Sequence, residues 1–229
     1  MLSLGHIGAI IDKQIKDVSK NLQVLILFFV FPVIAVILTQ SVSKDVSEYL
    51  VMIFATMHCV FTPLVTTASF ISEEKEKNTL RVLIMSGVRP FEYFFSIAIF
   101  VLLSNMLTGT VFIFLSDFTT NQIISFYVAA LAGGIISVLI GMCIGTKSKS
   151  ASAANGVAVP LAMVFSFLPM LVSFNKSLEK VAKFLYGQQV SYIVNGQQMK
   201  IENVVILAVN FVVCIVAYVV LYQRSRIDE

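Results

Sequence analysis

Charged residues divide the chain into six long uncharged runs, 21–43, 49–72, 93–116, 118–146, 150–175 and 203–223, of 23, 24, 24, 29, 26 and 21 residues. A helix needs ~20 mostly apolar residues to cross the hydrocarbon of a bilayer, because its backbone groups must be satisfied inside the segment. Each run holds one crossing. The pattern predicts an all-α, polytopic membrane protein with six transmembrane helices in a single domain, 1–229. Three stretches lie outside the spans: an N-terminal interfacial helix over 1–20, a charged segment over 72–90 between spans two and three, and a helical loop over 176–202 between spans five and six.

The competing reading is a set of helices buried in a soluble core. Soluble domains have about a quarter of their residues charged and about half apolar. Here 13% are charged and 58% apolar, and six such runs leave too little polar sequence to cover them. The first run begins after twenty residues and lacks a small-residue cleavage site, so it is expected to stay as an anchor and not to be removed as a leader. Cys59, Cys143 and Cys214 all fall inside runs without metal-like spacing and read as packing residues. His6 and His58 sit in no ligand-like cluster.

Charge asymmetry sets an orientation. With the N-terminus in the cytoplasm, eleven of the sixteen Lys and Arg residues fall inside, and four of the five outside lie in the last loop. The positive-inside rule favours that arrangement, with both termini cytoplasmic. The chain has no Trp, so interfacial anchoring falls to Tyr49, Tyr93 and Tyr222 at span ends.

Local patterns add detail. Ile7, Ile11, Ile15, Val18 and Leu22 form a helical stripe before the first span, as expected of a helix lying at the membrane surface or of a short extension of that span. Span four has a small residue at every fourth position, Ser125, Ala129, Gly133, Ser137, Gly141 and Gly145, a face suited to close helix packing against this chain or a second subunit. Pro160 and Pro169 are expected to break span five. In the loop that follows, Leu178, Val181, Ala182 and Leu185 share one face, predicting an amphipathic helix against or into the outer leaflet that stops at Gly187.

The runs contain no Asp, Glu, Lys or Arg, which disfavours coupling to ions through buried charge. Nor does the chain hold a phosphate loop. Its nearest approach, Gly141 to Ser148, has Thr146 where the second glycine belongs and follows a membrane span, not a strand. The glutamate pair Glu73–Glu74 resembles part of an intramembrane metalloprotease motif, but Asn78 stands where that motif has Arg, and the histidines needed in other spans are missing. An intramembrane enzyme stays as the minor alternative, beside a purely structural membrane subunit.

The remaining feature is SEEKEKNTLRVLIMSGVRPFEYF, from Ser72 to Phe94, where five consecutive ionic residues, Glu73 to Lys77, precede Arg81, Arg89 and Glu92. One charge at mid-bilayer costs ~2.5 to 3.5 kcal/mol, so this cluster lies outside the lipid. Leu80, Leu83 and Ile84 at i, i+3 and i+4, then Gly87 and Pro90, predict a short amphipathic helix with stop signals. Acids first, an apolar ridge second and bases last suit a groove on a soluble protein better than a simple turn.

This stretch resembles the permease subunits of ATP-binding-cassette (ABC) transporters of the type-2, exporter-like superfamily. Glu74, Lys75, Glu76, Asn78, Thr79, Leu80, Val88, Pro90 and Phe94 match their pattern, with Asn78 where glycine is more usual. The resemblance implies a six-span permease that pairs with a second copy or a paralogue and docks two separate ATPase subunits, which bind ATP and Mg2+; this chain binds no cofactor or metal itself. It implies a coupling helix with Leu80, Leu83 and Ile84 as the ridge buried in the ATPase cleft and Glu73, Glu74, Glu76, Arg81 and Arg89 as its polar rim, with Thr79, Gly87 and Pro90 in the same coupling segment. It implies an outer gate involving Pro160, Pro169, Leu178, Val181 and Leu185. By the same likeness the setting is a bacterial plasma membrane, and the cargo is an antimicrobial or other amphipathic peptide, with drugs and lipid or lipid-linked glycan as alternatives and no nucleic acid.

Overall fold

The computed structural model describes residues 3–116 and 118–227. Among the described residues every regular element is helical: α1 (Leu4–Lys20), α2 (Leu22–Thr39), α3 (Lys44–Glu76), α4 (Thr79–Met85), α5 (Pro90–Leu115), α6 (Thr120–Lys147), α7 (Ala151–Phe174), a 3-10 turn (Lys176–Leu178), α8 (Glu179–Ala182), α9 (Tyr186–Val194) and α10 (Ile201–Ile227). Five of them, α3, α5, α6, α7 and α10, are each long and apolar enough to cross a membrane; the bent pair α1–α2 supplies a sixth crossing if taken as one unit. The pair turns by 69° at Asn21, whose extended backbone (φ −106°, ψ 93°) ends α1. The aromatic anchor expected at Tyr222 lies outside the described side chains.

α1 is amphipathic, but its inward face is not the one that a four-residue step suggests. Ile7, Ile10, Gln14 and Val18 are buried, whereas Ile15 and Leu22 are exposed. A helix turns 100° per residue, so successive steps of four drift around its surface, and mixed steps of three and four keep to one face.

α3 is the central helix, buried along most of its length and packed by α2, α5, α6, α7 and α9. It buries Thr56, Thr66 and Ser72, whose hydroxyls donate to the carbonyls of Met52 (2.9 Å), Thr62 (2.7 Å) and Ala68 (2.7 Å) one turn back. That back-bonding satisfies hydroxyls where no water is available. The small-residue face of α6 packs within this chain. A β-carbon added at Gly141 would stand 2.6 Å from the Leu64 carbonyl oxygen of α3, and one at Gly145 3.0 Å from that of Ala68. Gly133 meets Val190 of α9 as well as α3. Backbone contact of this kind replaces the hydrophobic drive that lipid does not supply.

Two expectations are corrected. α7 runs unbroken through Pro160, which is exposed, and Pro169, which is buried. Beyond it, 176–185 folds as a 3-10 turn and the four-residue α8, with Val181 exposed and Leu178 and Leu185 half-buried. The element that dips into the bundle is α9: Tyr186, Gly187, Gln188, Gln189, Val190, Ile193 and Val194 are buried. Gly187 does not stop a helix; it is the second residue of one.

The apolar core falls into two clusters. One joins α3, α6, α7 and α9 through the middle of the bundle and its α9 end. The other gathers Ile10 and Val18 of α1, Phe28 of α2, Phe70 and Ile71 of α3, and Tyr93, Phe94 and Ile97 of α5 at the end that carries α4.

Candidate functional site

The charged segment forms one structure at the α4 end. Glu73 to Glu76 continue α3 as its last turn, and the chain leaves the helix at Lys77. Asn78 follows with φ 56°, the left-handed region that only glycine and, less readily, asparagine or aspartate visit routinely. The position where the resemblance allows Gly or Asn is therefore one where the backbone demands either. α4 then runs for seven residues, Gly87 (φ 95°) ends it, and Pro90 opens α5 at the first helical position, where its missing N–H costs nothing.

The carboxylates of this segment tie helix ends together. Glu74 is buried and accepts from Lys13 Nζ (2.6 Å) and the Gln14 side-chain amide of α1. Thr79 Oγ1 donates to the Glu74 carbonyl at 3.1 Å, fastening the start of α4 to the end of α3. Glu73 accepts from Asn21 Nδ2 at 3.5 Å, at the α1–α2 bend, and pairs with Lys77. Glu76 accepts the Ala151 N–H at 2.9 Å, placing negative charge at the N-terminus of α7, where the helix dipole favours it. Lys75 donates to the Thr146 carbonyl in the last turn of α6. The last turn of α3 thus touches α1, the α1–α2 bend, α6 and α7. Burial pulls the Lys13 amine down, but the Glu74 and Asp17 carboxylates outweigh it and hold the pKa above the ordinary 10.5.

A second buried carboxylate, Glu92, stands in the first turn of α5. It accepts from the Ser3 N–H (2.8 Å), from His6 Nδ1 (3.0 Å) and, closing a cap on its own helix, from the Arg89 N–H (3.1 Å). His6 therefore has a specific partner.

α4 divides its apolar residues between two sides. Leu80 and Leu83 are half-buried against the cluster of α1, α3 and α5. Val82, Ile84 and Met85 are exposed at 64%, 44% and 78%. Arg81 and Arg89 are exposed too. An open groove along α4 is lined by Lys75, Asn78, Leu80, Arg81, Ile84 and Met85.

Sequence reading missed Ser3, Lys13, Gln14 and Glu92. Two signals were present: Gln14 is a polar residue on the apolar face of α1, and Arg89-Pro90-x-Glu92 is a capped helix start.

At the opposite end, a cavity of about 50 Å3 lies between α3 (Tyr49, Met52, Ile53, Thr56), α7 (Ser166, Pro169, Met170, Ser173) and the end of α9 (Ser191 and the capping Asn195). Of the residues expected in an outer gate, only Pro169 borders it. In the middle of the bundle His58 is buried between α3 and α5, with Nε2 3.0 Å from the Asn105 carbonyl and Nδ1 3.3 Å from Thr62 Oγ1, a packed position with no opening. Among the described residues no three His, Cys, Asp or Glu side chains form a group that could hold a metal ion.

Apolar crossings around one packed unit, with a short exposed helix held at one end, define a multi-pass membrane protein. The sequence matches the family model of the ABC-2 family transporter proteins over residues 3–222, and the chain belongs to that family. Permeases of the family generally work with ABC ATPases. No curated protein matches the sequence.

Proposed function

We propose that this chain is the membrane half of an ATP-driven exporter, with α4 as the coupling helix that a separate ATPase moves. The observation that carries the reading is the placement of α4: a seven-residue helix held between the ends of two spans, with Val82, Ile84 and Met85 turned outward beside Arg81. An apolar ridge ringed by charge suits a partner's groove, where it gains burial at the centre and steering at the rim. Leu80 and Leu83 seat α4 on its own protein, and Ile84 and Met85 reach the partner. ATP and Mg2+ belong to that partner.

Two permeases, as copies or paralogues, would assemble with two ATPases. The exposed apolar faces of α2, α7 and α10 leave ample surface for lipid and for that pairing. The positive charge at the α4 end supports a cytoplasmic position for it, by the positive-inside rule, with the plasma membrane of a bacterial cell as the proposed setting. α7, α8 and α9 make the outer gate, with Pro169 at the cavity that α7 and the end of α9 share with α3. Amphipathic or hydrophobic cargo, foremost an antimicrobial or other amphipathic peptide, fits runs without fixed charge.

Affinity purification of the full chain from its native membrane, followed by ATP-dependent uptake of fluorescent amphipathic peptides into inside-out vesicles, tests the reading. A co-purifying ATPase and uptake that needs ATP support it. Absence of any ATPase overturns it, and uptake of a lipophilic dye or a lipid-linked glycan in place of peptides moves the cargo to the alternatives.

A further inference from the structure

We propose that α1 is a strap that makes the two ends of the α4 hairpin move as one, with Lys13, Gln14, Ser3 and His6 as positioning residues for energy transmission. The proposal rests on the reading of α4 as the element an ATPase moves. The hairpin has one buried carboxylate on each side, Glu74 before it and Glu92 after it. Both are held by α1 and the residue that caps its start, Ser3. Lys13 Nζ and the Gln14 amide hold Glu74 on α3; the Ser3 N–H (2.8 Å) and His6 Nδ1 (3.0 Å) hold Glu92 on α5. His6 and Lys13 are seven positions apart, about 10 Å along a helix, so the helix bridges the two ties at a fixed length. Between them Ile10 packs into the cluster that contains Val88 and Tyr93 and supports Leu80 and Leu83.

Apolar side chains would stabilise such a junction at least as well as buried ion pairs. What directional ties add is registry: a carboxylate that must keep its donors cannot slide. Without the strap, a push on α4 would be taken up at the turn of Ser86 to Arg89, where Gly87 (φ 95°) lets the backbone swing. With it, the end of α3 and the start of α5 share the displacement.

The test uses the full chain in lipid nanodiscs and in vesicles with its co-purified ATPase, comparing Lys13→Ala, which cuts one tie, with Lys13→Arg, which keeps it. Hydrogen exchange reads the strap directly. The strap predicts faster exchange in Lys13→Ala both beside Glu74 and at the distant amides of 89–93, with wild-type protection in Lys13→Arg. In vesicles, Lys13→Ala should retain the ATPase at unchanged stoichiometry but lose transport per ATP hydrolysed, and Lys13→Arg should restore it. Exchange altered only beside Glu74, or undiminished coupling in Lys13→Ala, overturns the strap. If the wild-type chain carries no ATPase, the exporter reading and the transmission role fall together, while the exchange pattern still decides whether α1 joins the two ends.

Discussion

Gly187 of α9 lies so close to Phe165 of α7 that a β-carbon on it would stand 2.0 Å from the Phe165 carbonyl oxygen. That carbonyl is backbone and cannot rotate aside, so Gly187→Ala must push α9 away from α7. Tyr186, which bonds Ser137 of α6 at 2.9 Å, would be dragged with it. Overpacking of this kind costs about 1–3 kcal/mol, and more against rigid backbone. Gly187→Ala should lower the thermal midpoint of the detergent-solubilised protein by several degrees, measured by intrinsic tyrosine fluorescence; an unchanged midpoint would show that α9 has room the contact denies.

The same argument applies at Gly141, where the opposing atom is the Leu64 carbonyl oxygen of the central helix. Gly141→Val should separate α6 from α3 and cut the yield of folded protein. Gly156→Val, at a position open to its surroundings, serves as the control and should change little. Size-exclusion profiles of the two variants check this directly.

The exposed half of α4 offers a cleaner probe of partner docking than its seated half. Leu83→Asp would bury a charge against the cluster of α1, α3 and α5 as well as disturb any docking, so its effect would be mixed. Ile84→Asp alters an exposed side chain, where substitutions cost the folded chain within about 0.5 kcal/mol. Ile84→Asp should leave expression and thermal stability intact and abolish retention of the ATPase on affinity resin. Full retention would remove Ile84 from the contact.

Lys13 gives a pH dependence with a definite sign. Its pKa is raised above 10.5 in the folded protein, so the protonated amine contributes stability that is complete below that value and is lost as pH climbs through the folded-state pKa. Hydrogen exchange in α1 should hold steady from neutrality to about pH 10, after correction for intrinsic rates, and rise above it. Lys13→Met should lack that alkaline step.

Span positions were legible because bilayer crossing imposes a length and a composition on local sequence. Five of the six uncharged runs coincide with helices long and apolar enough to cross on their own, the first does so only as a bent pair with α1, and the charged segment does hold a short helix ended by Gly87. What the sequence hid was non-local. Nothing near Glu74 or Glu92 in the chain announces that α1 supplies their donors, and the spacing of α6's small residues does not name α3 as the partner. Gly187 misled for a related reason: a glycine that stops a helix and one that lets two backbones meet look alike until the second backbone is known.

The length of α3 carries a last consequence. Its 33 residues form a rod about 50 Å long, gripped near the middle by the bare face of α6. Were it to tilt as one body, like an oar in its rowlock, a rotation of about 5° around that fulcrum would swing each tip by about 2 Å, in opposite senses. A nudge at the Glu74 blade would thus be felt at Tyr49, beside the far cavity, with no change in any side-chain rotamer between.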